Sequence, residues 1–107
     1  MIEQTVQIVS NERDTDLYFR LVVRAAQIAP LVQPGQFAHI RIVPLKDALL
    51  RRPFSIYQVN GETFSILYKA VGKGTEVLSR MRPGDELSAI GPLGHGWPVP
   101  VPQIEAQ

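Results

Sequence analysis

Apolar and polar residues alternate through "EQTVQIVS", the period-two pattern of a strand with one buried face. The polar cluster "NERDTD" then predicts a turn. "LYFRLVVRA" predicts a second strand: it is rich in β-branched and aromatic residues, with Arg20 and Arg24 as charged interruptions. "APLVQPGQ" carries Pro30, Pro34 and Gly35 and predicts a loop with a tight turn. In "QFAHIRIVP", Phe37, His39 and Arg41 alternate with Ala38, Ile40 and Ile42, which gives a third strand. A short connection, "KDALL", leads to "FSIYQV" and "TFSILYKAV", two strands flanking Asn60-Gly61, the strongest hairpin signal in the chain. The period then changes. Val77, Leu78 and Met81 in "GTEVLSRMR" recur at helical spacing, between the glycine-rich turn "VGKG" and Pro83-Gly84. "DELSAIGP" reads as a sixth strand.

The predicted order is therefore β-β-β-β-β-α-β. One helix among antiparallel strand candidates points to a mainly β fold, a six-stranded barrel that hides its edges by closing, with one short capping helix. The last residues behave differently. In "PVPVPQIEAQ", residues 98–107, Pro98, Pro100 and Pro102 alternate with valines, which excludes a central strand and predicts an extended linker. Residues 1–97 are left as the folded domain.

Composition narrows the functional classes. The 107 residues suit one core. Apolar residues make up 45% and charged ones 20%, as in a soluble globular domain, and the net charge of +1 supports neither nucleic acid nor an anionic membrane as a partner. With no cysteine there is no disulfide, thiolate metal site, iron–sulfur ligation or cysteine nucleophile in this chain. "MIEQTVQIVSN" lacks the apolar core of a signal peptide, and no apolar run approaches a membrane span; a cytoplasmic location is expected.

Three places could carry chemistry. In Arg51-Arg52-Pro53-Phe54-Ser55, a guanidinium suits bidentate contact with phosphate, and Pro53 holds the residue before it extended. Strand alternation sets Arg52, Phe54 and Ile56 on one side and Pro53 and Ser55 on the other. The same residues could equally form a solvated barrel edge. In "ILYKAVGKGTEVL" a glycine-rich turn opens a helix, which makes an anion site. Gly72 and Gly74 would permit positive φ and close approach by a ligand, Thr75 would serve as N-cap, and Lys69 and Lys73 add positive charge. An ordinary strand-to-helix turn fits as well, and the spacing of a P-loop is absent. "GPLGHGW" is a rigid turn that either ends the barrel or admits a ligand ring. His39 and His95 have no carboxylate at ligand spacing, so no metal site is expected. Phe19, Phe37, Phe64 and Tyr18 read as core or sheet-face residues.

Taken together and in order, "QPGQF", Arg52-Pro53-Phe54-Ser55, Gly72-Lys73-Gly74-Thr75 and "GPLGHGW" resemble the flavin-binding domain of the ferredoxin–NAD(P) reductase superfamily, whose R-x-[FY]-[ST] motif the second segment matches. Within it the chain is most similar to the electron-transfer subunits of B-type dihydroorotate dehydrogenases, where R-R-P-[IF]-S-I and G-P-L-G-x-G-[FW] both occur. The resemblance implies a Greek-key barrel that binds FAD and passes electrons to a catalytic dehydrogenase subunit or other redox partner. It implies that Arg52 contacts the FAD phosphates and that Pro53, Phe54 and Ser55 line the isoalloxazine, with Ser55 near N5. Leu67, Tyr68 and Lys69 would follow the ribityl and adenosine portion, while Gly72, Gly74 and Thr75 would present the backbone to the pyrophosphate. No catalytic acid or base is implied. The parts that take NAD(P)H and a [2Fe–2S] cluster in those proteins have no counterpart here, since there is neither a second glycine-rich βα unit nor a cysteine. Two other readings stand beside this one. Arg20, Arg24, Arg41, Arg51 and Arg52 could form a basic groove for single-stranded nucleic acid, or a barrel without its companion domain could self-associate through its uncovered surface.

Overall fold

The computed structural model describes residues 1–42 and 51–94. The "KDALL" connection, His95, Trp97 and the proline-rich linker at 98–107 lie outside the described residues. Seven strands and one helix follow in the order β1 (Ile2–Arg13), β2 (Tyr18–Arg24), β3 (Phe37–Arg41), β4 (Arg52–Ser55), β5 (Gln58–Asn60), β6 (Thr63–Lys69), α1 (Lys73–Ser79) and β7 (Glu86–Leu93). Ala29–Leu31 adds one 3₁₀ turn inside the predicted loop. Every strand pairing is antiparallel, and the sheet order is β4-β3-β7-β1-β2-β6-β5.

That order forces the sheet to curl. Its two edges, β4 and β5, are joined in the chain by Ile56 and Tyr57 alone. Laid flat, seven strands would hold their edges about 29 Å apart, whereas the step from Ser55 to Gln58 spans roughly 11 Å at most. The hydrogen bonds record the crossing. Ile56 N donates to Gln36 O at 3.1 Å, beside β3, and Tyr57 N donates to Ser65 O at 2.7 Å, on β6. The single strand predicted for "FSIYQV" is thus two, because its first half follows β3 and its second half β6, with the bend at Ile56–Tyr57. Counted around the ring, β4 and β5 fill one place, so the expected six-stranded barrel is present with its fourth strand bent in two. The connection from β2 to β3 passes over neighbours that are not adjacent in sequence, as a Greek key does.

β1 also exceeds its prediction. The ladder with β2 resumes after a bulge between Ile8 and Ser10 and continues through Asn11↔Leu21, Glu12↔Arg20 and Arg13↔Phe19. The turn that remains is shorter than "NERDTD", and Thr15 Oγ1 organises it by accepting the N–H groups of Leu17 and Tyr18 at 3.3 and 3.1 Å.

Alternate residues fill the interior: Val6 and Ile8, Leu21 and Val23, Ala38 and Ile40, Phe54, Phe64, Ile66 and Tyr68, Leu87 and Ala89, with Leu78 entering from α1. Burying large side chains of this kind stabilises by about 1.5–3 kcal/mol each. Exposed ion pairs such as Arg80–Glu76 contribute at most about 1 kcal/mol, so the interior dominates.

Candidate functional site

Strand β4 pairs with β3 through Phe37↔Ser55, Ala38↔Phe54, His39↔Pro53 and Ile40↔Arg52. Phe54 is fully buried and meets the Tyr68 ring edge-on, with centroids 6.3 Å apart. The outer face of β4 belongs instead to exposed Pro53 and half-buried Ser55. Pro53 suits an edge strand, where its missing N–H costs no ladder bond. On the paired strand, His39 and Phe37 lie beside one another, with ring centroids 5.5 Å apart.

Arg52 shares the inner side with Phe54 but starts the strand, and its side chain reaches α1. A Cβ placed on Gly74 would overlap Arg52 Nε and lie 2.9 Å from Cζ and 3.0 Å from Nη2. The half-buried guanidinium therefore occupies the space that any other residue at 74 would need. Among the described residues, no carboxylate comes within ion-pair distance of it.

The opening of α1 differs from expectation in two ways. Gly72, not Thr75, is the N-cap, and Thr75 sits three positions inside. Its buried hydroxyl accepts the Gly72 N–H at 3.0 Å and lies 3.2 Å from Gly72 O. A glycine N-cap has no side chain to offer the first turn, so a hydroxyl from within the turn reaches back instead. Neither Gly72 nor Gly74 has a positive φ; those belong to Gly35, Gly61, Gly84 and Gly94. What position 74 requires is the close approach of Arg52. As in any helix, the N–H groups of the first turn have no acceptor within the helix.

Arg51, which no local signal explains, has a definite place. Its Nη1 donates to Ser88 O at 3.0 Å, and Nη2 donates to Ser88 Oγ and Glu3 Oε2, both at 2.9 Å. Its side chain is only 16% exposed. Arg51 ties the approach to β4 onto β7 and β1, and so sets where Arg52 begins.

On β6, Leu67 and Lys69 face outward and are half-buried, whereas Tyr68 is fully buried. The Tyr68 ring stacks on Phe19 at 5.5 Å, and its hydroxyl donates to Asn11 Oδ1 at 2.7 Å. Burial pushes the phenol well above its ordinary range. Lys69 Nζ lies 5.3 Å from the centre of the Tyr18 ring, and Tyr18, Leu67, Asp14 and Thr15 line a shallow cleft of about 260 Å³.

The structure thus brings Arg52 to Gly74 and sets Pro53, Ser55, Leu67 and Lys69 on outward faces, while the side chains of Phe54 and Tyr68 belong to the core. In "GPLGHGW", residues 91–93 finish β7 and Gly94 follows it. Gly94 has φ +84°, and a Cβ there would lie 3.0 Å from the Phe37 ring, a second point where glycine is required. Gln36 Nε2 donates to Gly94 O at 2.8 Å. Of the arginines considered for a basic groove, Arg20 faces Asp14, Arg24 pairs with Glu62, and Arg51 with Glu3. Among the described residues no cluster of side chains could hold a metal ion, and no helix is long and apolar enough to cross a membrane.

Comparison with known proteins adds to this geometry. No family model matches the chain. The electron transfer subunit of dihydroorotate dehydrogenase B (NAD(+)) from Desulforamulus reducens is 48% identical over 80 residues, 73% of this chain and 30% of that protein. The subunit of the same name from Geobacillus thermodenitrificans is 36% identical over 98 residues, 90% of this chain and 38% of that one. The chain therefore spans about a third of the length of these relatives. Among solved structures, an NADH-dependent reduced ferredoxin-NADP oxidoreductase superposes with TM-score 0.78 and 26% identity, over 86% of this chain and 33% of the other. A ferredoxin NADP+ reductase from Neisseria gonorrhoeae, solved with bound FAD and NADP, superposes with TM-score 0.66 over 83% of this chain and 38% of its own at 15% identity, a likeness of fold.

Proposed function

The chain is homologous to the electron transfer subunits of dihydroorotate dehydrogenase B and carries the ferredoxin reductase-type fold, and on that footing we propose that it is an FAD-binding electron-transfer domain. The observation that carries the reading is the Arg52–Gly74 contact: a half-buried guanidinium with no carboxylate partner among the described residues, set against the start of α1. A cation in that setting calls for an anion, and a dinucleotide's diphosphate supplies one. Arg52 would hold the phosphates, with the first-turn N–H groups of Gly74 and Thr75 beside it. Gly72 serves here as the cap that starts the turn.

Pro53 and Ser55 would lie along the flavin ring with Ser55 toward N5, and Phe54 would support them from the core. Leu67 and Lys69 would follow the ribityl and adenosine portion along β6, where Tyr68 contributes backbone alone. FAD, when bound, accepts a hydride and releases electrons one at a time, chemistry that resides in the cofactor. The chain's own residues bind and orient it. NAD(P)H and a [2Fe–2S] cluster would be held outside these 107 residues, and a catalytic dehydrogenase subunit would receive the electrons in the cytoplasm, within pyrimidine biosynthesis.

Titration of the chain with FAD tests the reading. Saturable quenching of flavin fluorescence is expected, and Arg52→Ala should weaken binding by about 10- to 100-fold, the loss of a charge-assisted contact. A folded chain that shows no saturable binding of FAD would refute it.

A further inference from the structure

Three elements of the barrel meet at one polar side chain that no motif includes. Asn11, on β1, donates from Nδ2 to Leu78 O at 2.8 Å and to Met81 O at 3.0 Å. Its Oδ1 accepts the Tyr68 hydroxyl at 2.7 Å. A carboxamide has two donor hydrogens and one acceptor oxygen, so both donors and the acceptor are engaged. The two carbonyls belong to the C-terminal end of α1 and the residues just beyond, where backbone bonding is only partial: Leu78 O also accepts the Met81 N–H at 3.1 Å, and Asn11 adds to it.

The helix they belong to has seven residues, a length of about 10 Å and too short to persist on its own propensity. Tertiary contacts must decide where it sits. The structure shows Leu78 packed in the core, Asn11 at the C-terminal end, and Gly74 against Arg52 at the other. Leu78 and Gly74 are four residues apart, about one turn, so a tilt at one displaces the other.

We propose that Asn11 is a positioning residue: by fixing α1 it keeps Gly74 behind the Arg52 guanidinium, and so keeps that cation directed at the diphosphate of FAD. The inference rests on the flavin reading above. Asn11 touches neither Arg52 nor cofactor; it acts through the helix.

The whole chain carries the test, with Asn11→Ala and with Asn11→Asp, which retains the acceptor for Tyr68 but loses both donors. FAD and riboflavin are titrated in parallel, because riboflavin has no phosphate. In both variants FAD affinity falls on the order of tenfold, the effect of two lost hydrogen bonds, while riboflavin affinity stays as it was. In an Arg52→Ala background the Asn11 substitution costs FAD affinity clearly less than it does in the unsubstituted chain, since much of its effect passes through Arg52. Hydrogen exchange at the Glu76, Arg80 and Met81 amides quickens without change in the β1–β2 ladder. Equal losses for the two flavins, or additive losses with Arg52→Ala, would make Asn11 merely structural and overturn the proposal. So would unchanged exchange in α1. Absence of saturable FAD binding by the unsubstituted chain overturns the flavin reading itself and the phosphate role of Asn11 with it. The exchange result then still shows whether Asn11 holds the helix.

Discussion

The guanidinium of Arg52 packs against the bare Cα of Gly74, closer than any side chain at position 74 would allow. The contact joins the first residue of β4 to the first turn of α1. A single methyl group can therefore test it. Gly74→Ala should displace Arg52 and weaken FAD binding about tenfold. Stability should change little, because alanine's helix propensity, up to about 1 kcal/mol over glycine, opposes the displacement. Fluorescence titration and thermal denaturation measure the two effects. Unaltered affinity would show that Arg52 takes no part in binding.

Arg51→Ala removes three hydrogen bonds from a mostly buried side chain. The expected cost is about 1–3 kcal/mol, because Ser88 and Glu3 lose a charged partner. Urea denaturation reads it directly. A change below about 0.5 kcal/mol, the range of ordinary surface substitutions, would show that the clamp is dispensable.

Tyr68 predicts a dependence on alkaline pH. Burial raises its phenol in the folded state above the ordinary value of 10.0. Unfolding above that pH would let the phenol ionise and lose its proton, so the unfolded chain is favoured as pH rises. The stabilisation is complete below pH 10 and declines above it. Spectrophotometric titration should show that the phenolate signal removed by Tyr68→Phe arises only above the ordinary phenol range, and that Tyr68→Phe flattens the decline in stability. Ionisation of Tyr68 in the folded protein at the ordinary value of 10.0 would contradict this.

Ser65 offers a gain. Its Oγ is buried on β6 with no hydrogen-bond partner among the described residues. Ser65→Ala removes an uncompensated polar group and should raise stability by about 1 kcal/mol. A loss of stability in thermal denaturation would indicate that the hydroxyl has a partner in solution.

Much of this was legible in the residues, and the exceptions share a cause. The strands were visible because alternation is a local signal, as in "EQTVQIVS" and "QFAHIRIVP". The bend at Ile56–Tyr57 was not, because its two halves answer to partners on opposite edges of the sheet. Thr75 suggested a cap three residues late, since a hydroxyl before a helical run usually precedes the first turn and here sits inside it. The meeting of Arg52 with the glycine-rich turn was within reach, as a cation and a glycine each waiting for a neighbour. Arg51 was not, because Glu3 and Ser88 stand far from it in the chain and nothing near residue 51 signals them. The family motif marked Phe54 and Tyr68 as cofactor residues. Strand alternation carries both side chains into the core, which leaves their backbone to face a ligand.

The joined edges of the sheet have a mechanical consequence. Elsewhere each strand is laced to both neighbours by a ladder, but at Ile56–Tyr57 the ring is held by a short length of chain with one amide bonded to each side. The barrel is in effect a belt fastened at a two-residue buckle. Ser55 is the last residue before that buckle, and Leu67 stands on β6, the strand that pairs with β5 beyond it. A ligand touching both would span the fastening, so its occupancy would be felt as resistance of the whole ring to opening.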